Sequence, residues 1–220
     1  MVFSSLPFLF VFLPAVLAVY YILPKKCRNF WLFAASLVFY GYGEPVFILL
    51  MLFSVTLNYC FGIIIGKMKA GKMRKTAFII CIVINLSLLG YFKYTSLFLS
   101  TLRTLPVFSF ISIPEIALPI GISFYTFQTM SYIIDIYRGN CAYQKNYISF
   151  GAYVALFPQL IAGPIVRYVD VEEQLSSRKE SIEKFSKGIR LFTLGLAKKV
   201  LLANEAGALW SAIKAAPDSY

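Results

Sequence analysis

Histidine is absent from all 220 residues of this chain. A Ser-His-Asp or Cys-His arrangement therefore cannot be assembled within it. Charge is scarce as well: Asp, Glu, Lys and Arg make up 14% of the residues, against roughly 25% in a soluble domain. Acidic residues are the rarer sign, 10 against 21 basic ones, and they form no paired-carboxylate arrangement suited to glycoside cleavage. The four cysteines, Cys27, Cys60, Cys81 and Cys141, show no CxxC spacing. With no histidine to complete a site, they imply neither a metal centre nor a disulfide framework. No GxxxxGK[ST] loop occurs, which removes support for an ATP-driven motor. No bound cofactor is expected.

Apolar residues fill the space that charge leaves: 59% of the chain is hydrophobic and 17% aromatic. Residues 6–23 and 47–65 are continuously apolar, whereas a membrane barrel alternates apolar and polar positions along each strand. The expected fold is all-α, a polytopic helical membrane protein forming one domain over residues 1–220. The net charge of +11 does not point to nucleic acid. The basic residues gather between apolar runs, as Lys25, Lys26 and Arg28 and as Lys67, Lys69, Lys72, Arg74 and Lys75. That placement follows the enrichment of Lys and Arg in cytoplasmic loops.

Residues 6–23 have about the length that crosses a hydrocarbon core of roughly 30 Å. The basic cluster follows this run, so the N-terminus is expected outside and the first loop inside. An aromatic helix over 29–42 ends at Gly41, Gly43 and Pro45. Spans over 47–65, 76–99 and 119–137 follow, with 100–117 an extracytoplasmic loop. Residues 147–165 are interrupted by Pro158, Gly163 and Pro164 and flanked by basic residues, a pattern for a re-entrant element that returns to the same face. Ser177-Arg178-Lys179-Glu180 has capping-box spacing and predicts a helix start there. Ile182, Phe185, Ile189, Phe192 and Leu196 then repeat at three- and four-residue steps, the signature of an amphipathic helix lying at the cytoplasmic interface. Gly62 and Gly66 make a small-xxx-small packing face.

Two apolar stretches carry polar groups that lipid does not tolerate unless they face protein or water. In LPIGISFYTFQTMSYIIDIYRG, residues 118–139, Gln128, Tyr132 and Asp135 fall on one helical face. In FPQLIAGPIVRY, residues 157–168, Gln159 and Arg167 flank a Gly-Pro break. Asp135 is expected to pair with Arg138 at i+3, or, with Gln128 and Tyr132, to line a path for substrate. Gln159 suits a substrate carbonyl and Arg167 an anionic group such as a phosphate. LGLAKKVLLAN over 194–204 is a third motif, in which Lys198 and Lys199 suit snorkelling or pairing.

These three motifs closely resemble the membrane-bound O-acyltransferase family, in the branch of alginate and peptidoglycan O-acetyltransferases. FYGYGEP at 39–45 and GYFKY at 90–94 resemble it too. Asn204 stands where that family commonly has Asp. The resemblance implies transfer of an acyl group, most simply acetyl, to hydroxyls of an extracytoplasmic polysaccharide. The donor, acetyl-CoA or a carrier-linked acyl group, is expected on the cytoplasmic side. Polysaccharide or secreted acyl-handling proteins are expected outside, and membrane lipid around the chain. The family's catalytic histidine is expected beyond Tyr220, which makes this chain the N-terminal half of a longer core with no catalytic residue of its own. The alternatives are a transporter of polysaccharide or lipid-linked sugar, and a non-catalytic membrane scaffold. The expected location is the plasma or inner membrane.

Overall fold

The computed structural model describes residues 3–104, 114, 116–160 and 163–215, and every regular element among them is helical. A π-helical turn, Phe8–Phe12, leads into α1 (Leu13–Ile22). Pro14 cannot donate a backbone hydrogen bond, and the helix widens just before it, with Leu13 N–H reaching back to Phe8. There follow α2 (Arg28–Gly43), α3 (Ile48–Lys67), α4 (Lys72–Arg103), α5 (Ile122–Arg138), α6 (Tyr147–Ala155), the single turn α7 (Phe157–Leu160), α8 (Tyr168–Ser176), α9 (Ile182–Lys198) and α10 (Asn204–Ala215). Two helices, α3 and α4, are long and apolar enough to cross a membrane. The expected loop over 100–117 begins later than the sequence suggested, because α4 continues to Arg103. Its residues 105–113 and 115 lie outside the described residues.

The chain divides into two compact units, Val19–Ser177 and Met1–Ala18 with Arg178–Tyr220. In the first, α5 packs against α3, α4, α6 and α8. Gly62 of α3 lets the Tyr132 ring of α5 come close, for a Cβ there would lie 2.9 Å from Tyr132 Cε1. Gly66 does the same for Tyr143, so the small-residue pair works as packing. Asn58 and Asn85 exchange amide hydrogen bonds of 3.0 Å in both directions between α3 and α4, both side chains buried. Asn29 of α2 donates to Ser149 Oγ of α6 and to Leu175 O of α8, each at 2.9 Å. The helix ends are closed by specific groups. Arg74 donates to Ile65 O and Ile136 O, the open carbonyls near the C-termini of α3 and α5. Gly139 takes φ +79 after α5, and the paired bonds Asn140 N–H to Asp135 O and Gly139 N–H to Ile136 O form a Schellman closure.

In the second unit, α9 starts at Ile182, four residues after the helix start that Ser177-Arg178-Lys179-Glu180 predicted. Ser177 is used in closing α8, its N–H bonding Glu173 O, while the Ser181 hydroxyl accepts from Lys184 N–H and caps α9. The LGLAKKVLLAN motif runs from α9 through a π-helical turn, Lys199–Ala203, into α10. The residues Ile182, Phe185, Ile189 and Phe192 are exposed along α9.

Candidate functional site

The two polar apolar-rich motifs meet in the first unit along the length of α5. Three ties hold them. At the start of α5, Gly121 takes φ +80, a conformation natural to glycine, and a Cβ there would stand 2.8 Å from Leu160 O. The carbonyl of the FPQL turn therefore seats directly on the glycine. Halfway along, Gln128 and Gln159 both donate to one acceptor, the Tyr153 carbonyl, at 3.0 and 2.6 Å. Tyr153 lies in the last turn of α6, where helical carbonyls lose their partners. Two side-chain amides from opposite motifs replace them. At the end of α5, Arg167 grips Asp135 through Nε (3.2 Å) and Nη2 (2.5 Å), and Asn140 Nδ2 adds a third bond at 3.1 Å.

The Arg167 pairing corrects the expectation that Asp135 pairs with Arg138. Arg138 lies on the next turn of the same helix, but Asp135 faces the incoming chain, which delivers a guanidinium in two-pronged geometry. The pair is asymmetric: the Asp135 side chain is 3% exposed and that of Arg167 51%. A buried carboxylate thus receives its counter-charge from a residue that still reaches the surface.

Tyr132, between Gln128 and Asp135 on the same face, is fully buried. Its ring stands edge-on to Tyr168 at 4.9 Å and tilted on Phe150 at 4.7 Å, and its hydroxyl accepts from Gln144 N–H at 2.9 Å. Gln144 also donates to the Tyr168 hydroxyl at 3.0 Å. Tyr153 closes the ring of contacts, donating to Val166 O at 2.9 Å and stacking edge-on with Tyr168 at 5.3 Å. All five residues expected from the sequence therefore join one network: Gln128, Tyr132 and Asp135 are buried, Gln159 half-buried and Arg167 exposed. Sequence reasoning missed Gln144, Tyr153 and Tyr168, which link them. Gln144 sits in a polar stretch that reads as loop, and Tyr153 acts through its main chain, which no side-chain pattern reveals.

Pro158 does not break a helix here. It occupies the second position of α7, where a missing N–H has no intrahelical partner to lose. The break falls instead at Leu156, whose φ, ψ of −52°, 113° ends α6. Beside the site, burial pushes the Cys141 thiol up to about 12, with the Asp135 carboxylate adding to the effect. Among the described residues, no cluster of three potential metal-ligating side chains occurs.

No family model and no solved structure matches the chain. Curated proteins do. Over 216 residues it is 43% identical to the probable alginate O-acetylase AlgI of Pseudomonas aeruginosa, covering 95% of this chain and 41% of the relative. It is 41% identical over 211 residues to the protein of the same name from Azotobacter vinelandii, covering 93% and 42%. To the peptidoglycan O-acetyltransferase of Helicobacter pylori it is 28% identical over 236 residues, covering 93% and 45%. The chain spans about two-fifths of the length of the curated relatives it matches. Over nearly all its residues, then, this chain is similar to bacterial alginate O-acetylases and a peptidoglycan O-acetyltransferase, the branch that its motifs resemble.

Proposed function

We propose that this chain is part of a membrane O-acyltransferase that moves an acetyl group onto hydroxyls of an extracytoplasmic polysaccharide. The observation that carries this reading is the triple tie between the two motifs. Gly121 with Leu160, Gln128 with Gln159 at one carbonyl, and Asp135 with Arg167 place both polar segments side by side. Relatives named as an alginate O-acetylase and a peptidoglycan O-acetyltransferase match the chain over 95% and 93% of its length.

The ties also favour a re-entrant element. Gly121 and Asp135 are 14 positions apart on α5, about 21 Å at 1.5 Å per residue. The chain passes from Tyr132 at Gln144, up α6 to Leu160 at Gly121, and is back beside Asp135 by Arg167. In a bilayer this is an excursion most of the way across and a return to the same face. Non-helical backbone at that depth is tolerated where protein or a wet cavity receives it. The exposed apolar side chains of α3 and α4, such as Leu49, Phe53, Ile79 and Val83, suit a lipid-facing surface. The exposed apolar residues of α9 suit an interfacial helix.

The placement of basic residues supports a sidedness for this reading. Lys67, Lys69, Lys72 and Lys75 join Arg138 and Lys145 at the Asp135–Arg167 end of the first unit, and all are exposed. That end faces the cytoplasm and receives the acyl donor, acetyl-CoA or a carrier-linked acyl group. Arg167 keeps Asp135 neutralised with two nitrogens while half its side chain stays outside the pair, positioned for a phosphate of the donor. With a thioester donor, the acyl–sulfur bond breaks, a carbon–oxygen bond forms to the sugar hydroxyl, and a base carries the hydroxyl proton to the departing thiolate, which leaves as the free thiol. The chain contains no histidine to serve as that base. General-base catalysis contributes about 10²–10⁴-fold.

The test is to incubate the purified 220-residue chain with labelled acetyl donor and polysaccharide. No transfer is expected from it alone, and transfer is expected from membranes of the host carrying the intact gene but not from a deletion strain. Robust turnover by the isolated chain would place the chemistry on another residue.

A further inference from the structure

Among the described residues of the first unit, four buried hydroxyls have no hydrogen-bond partner: Tyr40 of α2, Ser54 of α3, and Tyr125 and Thr126 of α5. Their residues are at most 2% exposed. A buried polar group without a protein partner is uncommon in folded chains and calls for a specific explanation. These four are also not scattered. Helices α3 and α5 run in the same direction, because Gly62 touches Tyr132 and Ile136 while Arg74 bonds both Ile65 O and Ile136 O. Counting back from the Gly62–Tyr132 contact, Ser54 lies roughly 12 Å and Thr126 roughly 9 Å toward the start of their helices, within one turn of a common level. Phe39 stacks on Phe157 at 5.5 Å, and the turn that Phe157 opens seats its Leu160 carbonyl on Gly121. Tyr40, next to Phe39, therefore lies near the first turn of α5, and it shares one buried cluster with Met51, Val55, Ile122 and Tyr125.

The bundle is thus polarised along its axis. At one end Asp135, Arg167, Asn140, Tyr132 and Gln144 satisfy one another. Toward the other, buried hydroxyls on three helices lack such partners, although Thr129, equally buried, bonds Tyr125 O and Thr126 O. Each orphan hydroxyl both donates and accepts, and buried water bonds two to four such groups.

We propose that Tyr40, Ser54, Tyr125 and Thr126 form an internal hydration site that holds a small cluster of water molecules at the end of the bundle opposite the Asp135–Arg167 pair. The site stands on burial and partner geometry, so it survives or fails separately from the acyl-transfer reading. Where that reading holds, it is the wet extracytoplasmic end of the polar path along α5.

Radiolytic hydroxyl-radical footprinting of the protein in detergent micelles, read by mass spectrometry, tests it, because radicals form on water bound inside the fold. Tyr40 and Tyr125 are expected to oxidise several-fold faster than Tyr132, Tyr153 and Tyr168. Those three are also buried, but their hydroxyls have protein partners. Thr126→Val, which keeps the shape of the side chain, is expected to slow oxidation of Tyr125 and leave Tyr132 unchanged. Oxidation of Tyr40 and Tyr125 no faster than Tyr132 in the unsubstituted protein would overturn the proposal without any variant.

Discussion

Asp135 and Arg167, 32 residues apart in sequence, form a two-pronged ion pair in which only the arginine reaches the surface. Removing the arginine leaves a buried carboxylate with Asn140 alone, and an unpaired buried charge is far more harmful than a missing pair. Arg167→Gln is therefore expected to lower the thermal midpoint in micelles more than the double substitution Asp135→Asn, Arg167→Gln. A thermodynamic cycle over the four proteins measures the coupling. Strict additivity would mean the pair is not formed.

Two glycines of neighbouring helices should respond oppositely to alanine. At Gly62 the new methyl meets the Tyr132 ring, and overpacking of this kind costs about 1–3 kcal/mol. At Gly90, inside α4, nothing lies within 4 Å. There Ala removes glycine's helix penalty and is expected to stabilise by about 0.5–1 kcal/mol. Urea or thermal unfolding of Gly62→Ala and Gly90→Ala reads both signs, and equal effects would contradict the packing.

The Asn58–Asn85 amide pair bridges the two helices that are long enough to cross a membrane. Asn58→Leu leaves the buried Asn85 Oδ1 without its donor, while Nδ2 keeps the Cys81 carbonyl, and is expected to destabilise by about 1–3 kcal/mol. Asn58→Leu with Asn85→Leu strands none, so the double variant should recover part of the loss. Membrane hydrogen bonds average about 0.6 kcal/mol, so most of the single-variant effect is the orphaned partner. A double variant worse than the sum of the singles would refute this.

Cysteine labelling reports both environment and sidedness. Cys27 is exposed beside Lys25, Lys26 and Arg28, whereas the Cys141 thiol is held at about 12. At pH 8 the Cys141 thiol is therefore held almost wholly protonated, and the thiolate is the reactive form. Its maleimide rate should stay low and rise about tenfold per pH unit as pH climbs toward 12. Cys27 is expected to react with an impermeant maleimide in inverted membrane vesicles but not in intact cells. Labelling of Cys27 in intact cells would reverse the assigned orientation.

The helices were legible because apolar runs and their punctuation are local. Residues 29–42 and 47–65 became α2 and α3 to within two residues, and the Gln128, Tyr132, Asp135 face followed from helical period alone. What escaped was set by tertiary context. Asp135 chose Arg167 over Arg138 because a partner 32 residues away arrives with better geometry. The capping-box spacing at Ser177 was overruled because the Ser177 N–H closes α8, and Ser181, which carried no such spacing signal, caps α9 instead. Pro158 looked like a breaker but sits where a helix tolerates proline. The carbonyl of Tyr153, on which both glutamines converge, carries no side-chain signature at all.

The account rests on the tied motifs serving acyl transfer, and acetyl content of the host's polysaccharide measures that most directly. In the intact gene, Gln159→Ala and the double substitution Asp135→Asn, Arg167→Gln, which strands no charge, are expected to cut acetylation at least about tenfold, while the protein still accumulates in the membrane. Unchanged acetylation in both variants, at normal protein level, would contradict it.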